Sequence, residues 1–124
     1  MSSYLQFRKK GVELCEFSRS TEIYQVFPQA PVSDWAVVSS ETLQEGIEDL
    51  RSRIGMWERE IRIQKELLHG TLSHEDLYSA AKTIIDYEDG IDTLNYFINY
   101  LKVLIDIEQY DNSNGESPLE WVVG

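Results

Sequence analysis

From Leu43 to Ile105 the apolar residues recur with the timing of an α-helix. Leu43, Ile47, Leu50, Ile54, Trp57, Ile61 and Leu68 follow a four-three alternation interrupted only at Gln64. After a break containing Gly70, the rhythm returns as Leu77, Ala80, Ile84, Tyr87, Ile91, Leu94, Ile98, Leu101 and Ile105. Side chains so spaced share one face of a helix, and a seam sustained over several heptads needs a second helix to cover it. The pattern predicts two long helices folded back on each other as an antiparallel hairpin.

The charge order and end signals agree. The predicted first helix, Ser40 to His69, carries Glu41, Glu45, Glu48 and Asp49 early and Arg51, Arg53, Arg59, Arg62 and Lys65 late. That order complements the helix dipole at both ends. Ser39, Ser40 or the Thr42–Glu45 pair supplies its N-cap. Ser73 with Asp76 caps the second helix, which is expected to run to about Tyr110. Gly46, Gly55 and Gly90 lie off both seams, where each costs about 1 kcal/mol relative to alanine. They read as tolerated surface positions, as a kink at Gly90, or as points where another backbone approaches closely.

The first 39 residues read as β structure with one short helix. Tyr4–Arg8 and Val12–Phe17 flank Lys9-Lys10-Gly11, where Gly11 suits the positive φ of a tight hairpin. In the second strand Val12 and Leu14 alternate in one phase and Cys15 and Phe17 in the other, which a β-bulge near Cys15 would reconcile. Ser20 is an N-cap candidate for a helix over Thr21–Phe27, ended by Pro28. Trp35–Val38 is a third strand candidate. Residues 111–117 form a polar linker before a short strand, Pro118–Val123, which would join the N-terminal sheet as an edge strand or pair with a partner's sheet. The expected fold is therefore α+β. A small antiparallel N-terminal sheet, which the C-terminal strand can join, packs beside a long two-helix hairpin. It forms one domain over residues 1–124, with a β-rich part (1–39), a hairpin (40–110) and a tail (111–124).

Charge is the second constraint. The net charge is −11, and it is uneven: residues 1–69 hold 11 acidic and 9 basic side chains, residues 70–124 hold 11 acidic and 2 basic. Such a field repels nucleic acid and anionic membrane and attracts basic surfaces. The lone Cys15 excludes an internal disulfide framework, and the chain is expected to be soluble, intracellular and cytoplasmic. No run of 18 apolar residues occurs, and Met1-Ser2-Ser3-Tyr4 lacks a signal pattern.

Motifs for chemistry are missing. There is no G-x-S-x-G, no G-x-G-x-x-G and no phosphate-binding loop. Cys15 sits beside Glu13 and Glu16, which raise rather than lower a thiol pKa. His69 and His74 flank the helix break beside Glu75 and Asp76, without the i, i+4 pairing of a helical metal site, and read as loop polarity. Asp86–Asp92 fails the calcium-loop register, because counting from Gly90 puts Tyr96 where the bidentate acid is needed. The sequence implies no enzyme, no cofactor and no metal. Arg8, Lys9 and Lys10 cluster at the hairpin tip, and the arginines of the first helix interleave with acids as intrahelical ion pairs.

The acidic residues of the second helix carry the functional expectation. Asp86, Asp89 and Asp92 recur every three residues on its outer side, Glu88 extends the stripe, and Tyr96 and Tyr100 continue at an i, i+4 spacing. Close carboxylates imitate a phosphate backbone, and tyrosines supply anchors typical of binding hot spots. The expected partner is a protein with a basic surface, itself nucleic-acid-binding, with no direct contact to nucleic acid or membrane. Small, acidic, cysteine-poor proteins of this style include phage-encoded inhibitors of host defence, anti-CRISPR proteins among them; the comparison is of style, not of motif. Two other readings compete. One is a homodimeric assembly module, dimerising through Phe97, Leu104 and Ile107 with Ile63 and Leu67 also left uncovered. The other is a small-ligand binder with a pocket between sheet and helices, lined by Trp35, Tyr24 and the first helix's arginines.

Overall fold

A computed structural model describes residues 4–18, 21–70, 73–113 and 118–124. The elements in order are β1 (Tyr4–Lys9), β2 (Val12–Ser18), α1 (Thr21–Val26), β3 (Ala36–Val37), α2 (Ser40–Leu68), α3 (His74–Ser113) and β4 (Leu119–Val123). The fold is α+β, a four-stranded antiparallel sheet with two long helices packed as a hairpin. No helix among the described residues is long and apolar enough to cross a membrane. Two compact units are present, one formed by Met1–Glu48 with Asn99–Gly124 and the other by Asp49–Ile98.

The first unit holds the sheet, in the order β2-β1-β4-β3. Lys10 (φ 54°) and Gly11 (φ 75°) make the two-residue connection from β1 to β2, both in the positive-φ region that such hairpins demand. The predicted bulge is present: Phe7 opposes Cys15 and Arg8 opposes Glu13, which leaves Leu14 as the extra residue. Along β1, Leu5, Phe7 and Lys9 are buried while Tyr4, Gln6 and Arg8 point the other way and are more exposed. Ser20, the expected cap of α1, lies outside the described residues.

β4 departs from expectation. It lies inside the sheet, between β1 and β3, with Leu5 opposite Val123 and Ala36 opposite Trp121. An edge strand keeps one ladder of hydrogen-bonding groups free; β4 uses both, and four of its five residues are buried. The segment before β3 also uses β4. Val123 N–H donates to the Pro31 carbonyl at 2.7 Å, and after Ser33 (φ 76°) the chain turns so that Val38 N–H reaches the Leu119 carbonyl at 3.0 Å.

Aromatic rings fill this unit's core. Phe7 meets Phe17 edge-on at 6.3 Å and Trp121 at 6.1 Å, and Phe27 meets Trp121 edge-on at 5.4 Å. Leu43 and Ile47 of α2 and Leu101, Leu104 and Ile105 of α3 complete it. Gly46 is buried because a Cβ there would overlap the Phe27 ring.

The second unit is the hairpin of α2 and α3. Of its predicted seam, Leu50, Ile54, Ile61, Ala80, Ile84, Leu94 and Ile98 are buried, and Trp57, Leu68, Tyr87 and Ile91 are half-buried. Leu77 is the exception at 38% exposure, one turn past the α3 N-terminus. Trp57 lies 6.0 Å from the Tyr87 ring, and a Cβ on Gly90 would come within 2.8 Å of its Cζ3. Gly90 is thus a seat for a ring of the same chain rather than a kink or a place for another backbone. Ser39 Oγ accepts the Thr42 N–H at 3.2 Å and Ser73 Oγ accepts the Asp76 N–H at 3.2 Å, so both helices begin at serine caps. α3 continues three residues past the expected end to Ser113, and residues 114–117 of the expected linker lie outside the described residues.

Candidate partner-binding face

Asp86, Asp89 and Asp92 are all exposed on the middle turns of α3, as is Tyr96 at 59%. At about 100° per residue these four fall on the side of α3 turned away from the seam residues Ile84, Leu94 and Ile98. Two carboxylates elsewhere are paired: Asp49 Oδ1 accepts from Arg53 at 3.3 Å and Glu120 Oε1 from Arg8 at 3.0 Å. Among the described residues no cation sits on Asp86, Asp89 or Asp92.

The other two residues of the predicted stripe are placed differently. Glu88 turns toward α2, where its carboxylate lies 3.8 Å from Lys65 Nζ and lines a groove between the helices. Tyr100 belongs to the first unit, half-exposed, its ring edge-on to Phe17 at 5.4 Å. Its ring forms part of the wall of the aromatic core.

No family model, curated protein or solved structure matches this chain. The reading of this face therefore rests on its own chemistry.

The residues expected to mediate dimerisation need correcting. Phe97 and Leu104 are 1% and 2% exposed, and Ile107 is half-buried. Phe97 and Leu104 therefore offer no surface to another molecule. Ile63 and Leu67 on α2 are exposed as expected, and Met56 (58%) on α2 and Tyr78 (74%), Ile85 and Val103 on α3 are among the other exposed apolar side chains. Of the basic hairpin tip only Lys10 is exposed. Arg8 pairs with Glu120 and lies 4.1 Å over the Trp35 ring, and Lys9 is buried.

For the ligand-pocket reading, Trp35 carries Arg8 on the sheet, and the Tyr24 side chain lies outside the described residues. Arg62, one of the first-helix arginines, does line a cavity of about 540 Å³, but within the hairpin, with Gly55, Glu58, Ile61, Glu88 and Ile91. The sequence reading missed this groove. Its one sequence signal is Gly55 followed by Glu58 and Arg62 at helical spacing beside the seam. His69 and His74 are both exposed, His74 stacked on Tyr78 at 6.5 Å. Among the described residues no three His, Cys, Asp or Glu converge on a common point.

Burial pushes the Cys15 thiol up to about 11, and the Glu13 carboxylate adds to the shift. At neutral pH it is a protonated thiol, which is a poor nucleophile.

Proposed function

We propose that this protein is a non-enzymatic acidic interaction protein whose α3 face, Asp86, Asp89 and Asp92 with Tyr96, occupies a basic surface of a protein partner. The observation that carries the reading is the unpaired state of these three carboxylates, on a helix whose other outward residues leave them uncovered. A solvated row of negative charge costs little to present and attracts a cationic surface over a Debye length, about 8 Å at physiological ionic strength. Such a row, repeated along a rigid helix, stands in for the phosphates of a nucleic acid, so the fitting partner is a nucleic-acid-binding protein. Phage-encoded inhibitors of host defence act in this style. Tyr96 adds an aromatic contact beside the charges, where a binding hot spot is expected.

The test is affinity capture from nuclease-treated lysate, washed across a salt series, with wild type and an Asp86→Asn/Asp89→Asn/Asp92→Asn variant as baits. A basic nucleic-acid-binding protein that is released by moderate salt, and retained at least tenfold less by the variant, is the expected result. Equal retention by both baits at every salt concentration rejects the reading.

A further inference from the structure

The groove between α2 and α3 in the second unit divides its charge by helix. On α2, Gly55, Glu58 and Arg62 line it, and Arg51 and Lys65 continue the same helical stripe at four-three spacing, three cations to one acid. On α3, Glu88 lines the groove, and Ile85 and Asp92 share its helical stripe at the same spacing, giving an apolar side chain and two acids. Between them the floor is open: nothing lies within 4 Å of a Cβ placed on Gly55, and Ile61 and Ile91 form its apolar base. Arg51, Glu58 and Arg62 form no ion pair with any described residue.

This division of charge selects the occupant. A uniformly basic segment would be opposed by Arg51 and Arg62, and a uniformly acidic one by Glu88 and Asp92. A second copy of the same face satisfies both. When two hairpins stack about a two-fold axis parallel to their helices, the basic α2 wall of each lies on the acidic α3 wall of the other. Every contact is then made twice, as isologous symmetry requires, and the four helices adopt the antiparallel arrangement of a four-helix bundle. Ile85, 57% exposed in the single chain, turns into the layer, and the missing side chain at Gly55 leaves room for it. We propose that this groove is a homodimer interface, with Arg62 of each copy facing Glu88 of the other. Asp86 and Asp89 stay outside it and Asp92 lies at its edge, shared with the partner-binding face; charge reversal at Arg62 and Glu88 leaves all three aspartates in place.

Sedimentation equilibrium on the full chain, across protein and salt concentrations, provides the test, with helix content checked by circular dichroism. The expected mass is twice 14.4 kDa at low salt, falling toward 14.4 kDa as salt rises. Arg62→Glu alone and Glu88→Arg alone each place like charges across the axis and are expected to weaken dimerisation at least tenfold. An equimolar mixture of the two restores opposite charges at both contacts and is expected to recover the dimer. That complementation depends on two molecules and cannot arise within one chain. Should either variant lose helix, Gly55→Leu, which fills the groove floor at an exposed helical position, decides by the same measurement: a monomer supports the interface and a dimer overturns it. A wild type that is monomeric throughout, reversal variants that dimerise as well as wild type, or a mixture that stays monomeric also overturns it.

Discussion

At Gly46 an added methyl group would overlap the Phe27 ring, and that ring is itself only 2% exposed; at Gly55 the same methyl meets nothing within 4 Å. Both glycines carry the same helical propensity penalty, so surroundings decide the sign of a substitution. Gly46→Ala is expected to destabilise the protein by about 1–3 kcal/mol through overpacking. Gly55→Ala is expected to stabilise it by about 0.5–1 kcal/mol. Urea unfolding of the two variants checks both signs. Cys15 makes a second prediction at this scale. Its folded pKa is raised from 9.0 to about 11, foremost by burial. Between those values the folded state holds a proton that the unfolded chain has lost, so the contribution to stability is present below about pH 9 and disappears toward 11. Replacing the thiol by Cys15→Ala removes this dependence. The stability difference between wild type and variant is therefore expected to shift against the wild type across that window and stay flat below it.

Among the elements, β4 decides whether the sheet exists. It is hydrogen-bonded on both sides, to β1 and to β3, and β3 has two residues and no other strand neighbour. Removing residues 119–124 leaves a two-stranded hairpin, which is marginal in water at best. Exposed aromatic surface and rapid proteolysis within the first unit are expected, read by limited digestion and dye binding; a truncated chain as resistant as the full one would contradict this role. The milder Trp121→Ala keeps the ladder and removes the ring that meets Phe7 and Phe27, at a cost of about 3–5 kcal/mol. The long helices resist such single losses better, because each begins at a serine cap and buries a repeating seam.

For the whole molecule the governing quantity is the net charge of −11 and its concentration after residue 69. Asp86, Asp89 and Asp92 repel one another along α3, where like charges at helical spacing cost roughly 0.2–0.5 kcal/mol per pair. The triple asparagine variant is thus expected to melt at the wild-type temperature or slightly above it, while losing the partner. That separation distinguishes carboxylates kept for binding from carboxylates kept for the fold, and a variant that melts well below wild type would place them in the second class. The face was legible in the sequence for the three aspartates and Tyr96, because helical phase alone sets them outward. Glu88 and Tyr100 were not legible. The first differs because α2 supplies Lys65 beside it, and the second because Phe17, more than eighty residues earlier, meets its ring.

By itself the sequence determined what depends on neighbours a few residues apart. The two seams, the cap at Ser73, the turn at Gly11 and the bulge beside Cys15 all follow from periods of 2 and 3.6 residues and from local backbone preference, while Ser39 is one of three cap candidates for α2. Tertiary structure alone decided which surfaces remain free. Phe97 and Leu104 continue the apolar character of α3 beyond one seam, and periodicity reads them as uncovered, yet both are buried. β4 reads as an edge strand and lies between two others, and the glycine at position 46 reads as surface and receives an aromatic ring. For β4 and Gly46 the covering group comes from another part of the chain. Hydrophobic burial is non-directional and carries no signature of its partner in the local sequence.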